Sequence, residues 1–256
     1  MPEDILELAP PPADQRIQYG TDPLQFADVR FPSTKKPWPV VMNIHGGFWR
    51  AAYDLLHTGH FCAGLTQAGF ATFNIEYRRV GNPGGGWPGT LEDIRNAYHY
   101  LHQHAHELNC DPARILVTGH SAGGQLALCL AGHEPTITRV VPLAGVLDLR
   151  RAYELHLSND AVVEFLHGTP QQVPEHYREA SPTNLKITAR QVVITGTDDD
   201  TVPSDLSRDY ASRKKAIGEH VELVEIPMTD HYDLIDPRTE AFNIVLKTIE
   251  VFLQEE

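Results

Sequence analysis

Short apolar runs separated by stretches of helical spacing constrain this chain more than any other feature. Residues 39–45 (PVVMNIH), 71–77 (ATFNIEY), 114–118 (RILVT), 139–144 (RVVPLA), 191–195 (QVVIT) and 221–226 (VELVEI) are β-branched or apolar. They read as strands buried on both faces. Between them, apolar positions recur at the helical period near residues 53–68, 90–107, 122–132, 204–217 and 238–254. Parallel strands need a crossover, and a helix is the usual one, so the alternation predicts a mostly parallel sheet with helices on both faces. Two earlier segments, 16–19 and 26–31, have the period-2 pattern of antiparallel edge strands. The expected architecture is α/β, a doubly wound sheet of about eight strands. A chain of 256 residues fits this as one domain spanning 1–256. The rhythm breaks over 147–182, where polar segments and short helical stretches replace a full crossover. Long loops beside a site are usually functional, and this one is expected to form a small cap.

Four motifs carry chemistry. Gly119-His120-Ser121-Ala122-Gly123 lies between the apolar strand RILVT and the helix-like QLALCLAGH. In a G-x-S-x-G strand-to-helix turn the serine sits in strained backbone, and the glycines leave room for neighbouring chain. The turn lifts the Ser121 hydroxyl above the sheet and puts the Ala122 amide at a helix start, where negative charge is favoured. A serine hydroxyl is a poor nucleophile without a base. His45-Gly46-Gly47-Phe48-Trp49 follows the strand PVVMNI, and its two glycines allow amides to turn toward the serine. The N–H groups of Gly47, Phe48 and Ala122 are the expected oxyanion donors, with His45 bracing the loop. The strand QVVIT runs into GTDDDTVP, which offers Asp198, Asp199 and Asp200 on one loop; TDHYD places His231 between the last strand and the last helix.

With these motifs in this order, the chain resembles the α/β-hydrolase superfamily over essentially its whole length. The resemblance implies a triad in the chain order serine, acid, histidine, hence Ser121 as nucleophile and His231 as general base. The family pattern G-x-x-D-x-x-V-P selects Asp199 as the acid, while geometry alone would accept Asp198 or Asp200. The HGGFW loop, the GHSAGG elbow and the segment QYGTDPLQFADVRFP resemble the small serine esterases that include kynurenine formamidases and the feruloyl esterase-like group allied to hormone-sensitive-lipase-type carboxylesterases. Phe48 stands where the lipase-like branch has a third glycine, which narrows the space beside the acyl group. The implied activity is hydrolysis of small soluble acyl or aryl esters. The alternatives are an arylformamidase acting on N-formylkynurenine and a catalytically silent hydrolase-fold binding protein. Trp49, Trp87, His120 and Tyr232 are the candidate substrate-binding residues, with Trp49 equally suited to core packing.

Thirty-four acidic against 21 basic residues give a formal charge of −13, which disfavours nucleic acid and anionic membranes as partners. The expected partner is a small-molecule ester, with the protein a monomer or homodimer. Cys62, Cys110 and Cys129 show no CxxC spacing and read as free thiols in a reducing compartment. His102, His104 and His106 read as a solvated helix face, so no metal and no cofactor is expected. The first twenty residues lack a basic stretch followed by an apolar one. They do not read as a signal peptide, and a cytoplasmic location is expected.

Overall fold

The computed structural model describes residues 5–254; residues 1–4 of the acidic lead and 255–256 at the end lie outside them. Eight strands form one sheet: β1 (Gln15–Gln18), β2 (Phe26–Arg30), β3 (Trp38–Ile44), β4 (Ala71–Ile75), β5 (Cys110–His120), β6 (Arg139–Leu143), β7 (Arg190–Gly196) and β8 (Val221–Ile226). Their order is β1-β2-β4-β3-β5-β6-β7-β8. β1 and β2 join antiparallel, and every pair from β4 to β8 is parallel. This is the α/β-hydrolase fold.

The apolar runs lie where both faces are covered, except 221–226: β8 is an edge strand and its Glu222 and Glu225 are exposed, against the expectation of burial on both faces. Along β3, Val40, Met42 and Ile44 enter a core shared with helices α2 (Gly89–His104) and α3 (Ala122–His133), while Val41 points into a second core. That second core is closed by α1 (Gly59–Gln67) and α8 (Glu240–Gln254) through Phe61, Leu65, Phe242 and Ile249. Successive residues on a strand face opposite ways, so a strand clad on both sides has to be apolar throughout. The remaining long helix is α7 (Asp205–Ala216), between β7 and β8.

The two largest differences from the sequence reading lie in the extent of elements. The segment expected as one helix over 53–68 is a short 3-10 turn, Leu55–Thr58, capped by the Asp54 carboxylate accepting from the Leu56 amide, followed by α1. β5 begins four residues early, at Cys110, with an irregular register opposite Trp38. The stretch 147–182 holds the short helices α4 (Leu149–Glu154), α5 (Ala161–Leu166) and α6 (Pro174–Ala180). Among the described residues no helix is long and apolar enough to cross a membrane.

β3 lies between β4 and β5, so the chain leaves it to one side and returns on the other. A crevice forms outside the carboxyl ends at such a reversal. Here the β3–β5 register aligns Ile44 with Gly119, which sets HGGFW beside the GHSAG turn. A Cβ on Gly123 would stand 2.0 Å from the Ile44 carbonyl oxygen, inside van der Waals contact with backbone that cannot swing away. Gly123→Ala is therefore expected to cost at least the ~1–3 kcal/mol typical of overpacking, read as a lower urea midpoint with an unchanged slope.

Candidate active site

Ser121 occupies the turn between β5 and α3 at φ 59°, ψ −122°, a left-handed conformation that costs a non-glycine residue of order 1–3 kcal/mol. Its amide donates to the Leu143 carbonyl (2.8 Å), and its own carbonyl accepts from Gly124 and Gln125. The next residue, Ala122, opens α3, and the first amides of a helix have no acceptor within it.

Beside it the HGGFW loop runs through three consecutive left-handed residues, Gly47 (φ 102°), Phe48 (φ 47°) and Trp49 (φ 59°). A Cβ on Gly46 would lie 2.7 Å from the His120 carbonyl oxygen, so loop and turn are in backbone contact. His45 braces this path. Its Nδ1 meets the Gly46 carbonyl (2.8 Å), its Nε2 meets Glu76 (3.1 Å), and its own carbonyl accepts from the Tyr77 hydroxyl (2.7 Å). The Tyr77 ring stacks on His45 at 4.4 Å. The Glu76 carboxyl sits below its ordinary value: burial opposes this, but His45 and Arg79 beside it, at 3.1 and 3.0 Å, prevail.

Asp199 and His231 arrive on neighbouring loops after β7 and β8. His231 Nδ1 lies 2.6 Å from Asp199 Oδ2, with both side chains buried. The other oxygen, Asp199 Oδ1, accepts from the amides of Thr201 (2.9 Å) and Val202 (2.7 Å). Asp198 and Asp200 instead accept from the hydroxyls of Thr197 and Thr201. Of the three aspartates, the one that meets His231 is Asp199. Facing a carboxylate, Nδ1 carries the ring proton, which leaves Nε2 as the acceptor.

Gly47, Phe48, His120, Ser121, His231 and Tyr232 line one cavity of about 440 Å³. A strained hydroxyl, a carboxylate-held imidazole and a loop of turned amides around one space can carry acyl transfer. A larger cleft, about 580 Å³, opens at the opposite ends of the strands beside Ala113, Arg139 and Arg190 and holds none of these groups.

Trp49 and Trp87 are not among the residues lining the Ser121 cavity, and Trp49 takes the core-packing alternative. Trp49 is 1% exposed. Its indole N–H donates to Gln125 Oε1 (2.8 Å), and its ring stacks on Phe165 of α5 at 4.7 Å. Trp87 meets the same phenylalanine edge-on. Both anchor the 147–182 stretch to the main core. Arg50 ties it further, through Glu164 (2.9 Å) and the Ser158 side chain and carbonyl. His120 touches the cavity, but its Nε2 is committed to the His231 carbonyl (2.8 Å).

Sequence reasoning missed Leu6, Tyr53, Leu56, His57 and Ser158 on the cavity wall. Leu6, Tyr53, Leu56 and Tyr232 are four of the eight exposed large apolar side chains among the described residues. Gathered at one mouth, they form the kind of patch that marks a binding site. The signal for Leu6 is an apolar Ile5-Leu6 pair inside an acidic, proline-rich lead, where no core position is due. Among the described residues no three histidines, cysteines or acids cluster as a metal site.

Two histidines at the site are held neutral. Burial, aided by nearby His45, pushes His57 from the ordinary 6.5 down to about 3. Burial, with His231 and His57 alongside, holds His120 well below 6.5. In the unfolded chain both regain an ordinary value, so below 6.5 the unfolded state binds protons that the folded state refuses. Stability from these groups is then full above 6.5 and falls as the pH drops below it, by about 1.4 kcal/mol per pH unit for each histidine. Urea midpoints taken from about pH 7.5 down to about pH 5 should decline from near 6.5; a flat profile would contradict two neutral, desolvated rings.

Comparison with known proteins gives a consistent set. The family model described as BD-FAE matches residues 27–213. Esterase LipC of Mycobacterium tuberculosis is 27% identical over 249 residues, covering 87% of this chain and 60% of the relative. The probable carboxylic ester hydrolase LipM of the same organism is 29% identical over 240 residues, covering 85% and 54%. The chain thus spans a little over half the length of these relatives. Among solved structures, a truncated carbohydrate esterase from gut microbiota superposes with TM-score 0.81 at 21% identity, covering 97% of this chain and all of that one. A bacterial heroin esterase gives 0.71 at 25% identity, covering 90% and 78%.

Proposed function

The chain belongs to the BD-FAE family of α/β-hydrolases, and on that premise we propose that it is a serine esterase hydrolysing small soluble acyl or aryl esters. The observation that carries this reading is the buried His231–Asp199 bond (2.6 Å) on the wall of the cavity that Ser121 enters. The esterase names borne by LipC and LipM support it.

Ser121 Oγ attacks the ester carbonyl carbon while its proton passes to His231 Nε2. Asp199 keeps hold of Nδ1–H, fixing the tautomer and steadying the imidazolium without taking the proton. The carbonyl oxygen becomes an oxyanion against the amides of Gly47, Phe48 and Ala122, where each well-aimed donor is worth ~3–4 kcal/mol in the transition state. Collapse expels the alcohol, which leaves with the proton from His231. Water then repeats the sequence on the acyl-enzyme and releases the acid. The scheme requires a small-molecule ester and water, with no cofactor or metal. The cavity volume of about 440 Å³ suits a compact ester, and the apolar mouth suits an alkyl or aryl group.

Hydrolysis of p-nitrophenyl acetate, butyrate and octanoate, measured beside N-formylkynurenine, tests the assignment. Short esters should turn over. Ser121→Ala should lose on the order of 10⁴–10⁶-fold in kcat and Asp199→Asn on the order of 10⁴-fold, while Asp198→Asn stays close to the parent. Efficient deformylation without ester turnover would move the protein to the formamidases, and activity surviving Ser121→Ala would overturn the mechanism.

A further inference from the structure

His120 precedes Ser121 in the chain, yet its side chain reaches across to the loop that bears His231. Its Nε2 lies 2.8 Å from the His231 carbonyl oxygen, so the nitrogen is the donor, and the two rings stand 4.4 Å apart. The ring is buried, and among the described residues its Nδ1 has no hydrogen-bond partner. An acceptor left buried and unpaired costs about 1–3 kcal/mol. A phenyl ring would fill nearly the same space without that cost, so packing alone is a poor reason for a histidine here.

The loop that His120 grips is stiff in itself. Asp230 Oδ1 accepts from the amides of Tyr232 (2.8 Å) and Asp233 (3.0 Å), and Asp233 Oδ2 accepts from the Asp230 amide (3.1 Å). A loop closed on itself moves as a unit, and its position is set by the ties that leave it. At His231 two such ties meet: Asp199 holds the ring, and His120 holds the backbone. Because His120 is bonded to Ser121, the second tie joins the strained turn directly to the base.

We propose that His120 is a positioning residue, a neutral N–H strut that sets the separation of Ser121 from His231 rather than a group that binds substrate. The inference rests on the esterase reading above. Burial and the neighbouring His231 and His57 keep the ring from protonating, so the strut carries no charge that would oppose an imidazolium at His231.

The test compares His120→Phe, His120→Gln and His120→Asn in the full chain, using p-nitrophenyl acetate hydrolysis and the rate of labelling by a fluorophosphonate. Glutamine Nε2 lies the same number of bonds beyond Cβ as imidazole Nε2, asparagine's nitrogen falls one bond short, and phenylalanine has no donor. Misplacing a catalytic group by about 1 Å costs on the order of 10²-fold. His120→Phe should therefore lose on the order of 10²-fold in kcat with KM nearly unchanged, and His120→Gln should recover most of that loss. A Phe variant with parental kcat, a loss confined to KM, or Phe and Gln variants equally impaired would each overturn the strut. Should the Phe variant fail to fold, the Gln–Asn pair decides: Gln active and Asn impaired supports the proposal, and equal activities refute it. A parent protein that neither hydrolyses the ester nor takes the label would show that the esterase reading itself has failed, before any His120 variant is compared.

Discussion

The pairing of β3 with β5 is the contact on which the rest of the site depends. Its register sets Ile44 beside Gly119, so the loops leaving the two strands start level. Both loops are then pressed together backbone to backbone, at Gly46 against His120 and at Gly123 against Ile44. Contacts of this kind have no rotamers through which to relax. The start of the loop that bears Gly47 and Phe48 is thus located by the sheet. The consecutive left-handed residues 47–49 are the cost, and they persist because their flanks are fixed. Tyr77 and the His45–Glu76–Arg79 chain hold one side. The Trp49 indole, bonded to Gln125, holds the other.

Asp199 and His231 are placed by a different device. After β7 and β8 end in register at Gly196 and Ile226, their loops stay zipped: the Thr197 amide donates to Ile226 and the Asp198 amide to Thr229, each at 3.0 Å. Asp199 and His231 are delivered to each other by an extension of the sheet's own hydrogen bonding. The Ser121 turn is strained and buttressed; Asp199 and His231 sit at ordinary backbone angles, and both oxygens of the Asp199 carboxylate accept hydrogen bonds. Such a division keeps the strain on the group that has to project from the sheet.

The legibility of these parts in the sequence follows from how local their causes are. The strands could be read because burial on both faces forces a continuous apolar run, and VVMNI or QVVIT admits little else. The GHSAG turn could be read because its demands, glycine on both flanks and a helix at once afterwards, fall within a few residues. Asp199 was separable from Asp198 and Asp200 by family pattern alone; physically the choice is made by a loop path that turns one carboxylate back onto the Thr201 and Val202 amides. The packing of Trp49 and Trp87 is illegible for a long-range reason. Their partners, Gln125 and Phe165, lie far along the chain, and nothing near either tryptophan announces them. Leu6 lies outside any periodic run, and Tyr53 and Leu56 fall within the helical spacing of 53–68, so nothing in the sequence sets them apart as exposed residues of a cavity mouth.

The crowding of histidines about Ser121 poses a final question of selectivity, since any of them has the chemistry of a base. Hydrogen bonding answers it. His45 has both nitrogens engaged, with Gly46 and Glu76. His57 gives Nδ1 to the Asp54 carbonyl (2.9 Å), turns Nε2 to the Gly46 amide (3.4 Å), and is pushed down to about 3. His120 spends its N–H on the His231 backbone and resists protonation through burial. His231 differs from these three in having a buried carboxylate on Nδ1 and a place on the cavity wall. In the proposed reaction the proton goes to His231 because its neighbours are committed elsewhere, and their commitments are what hold the loops around it in place.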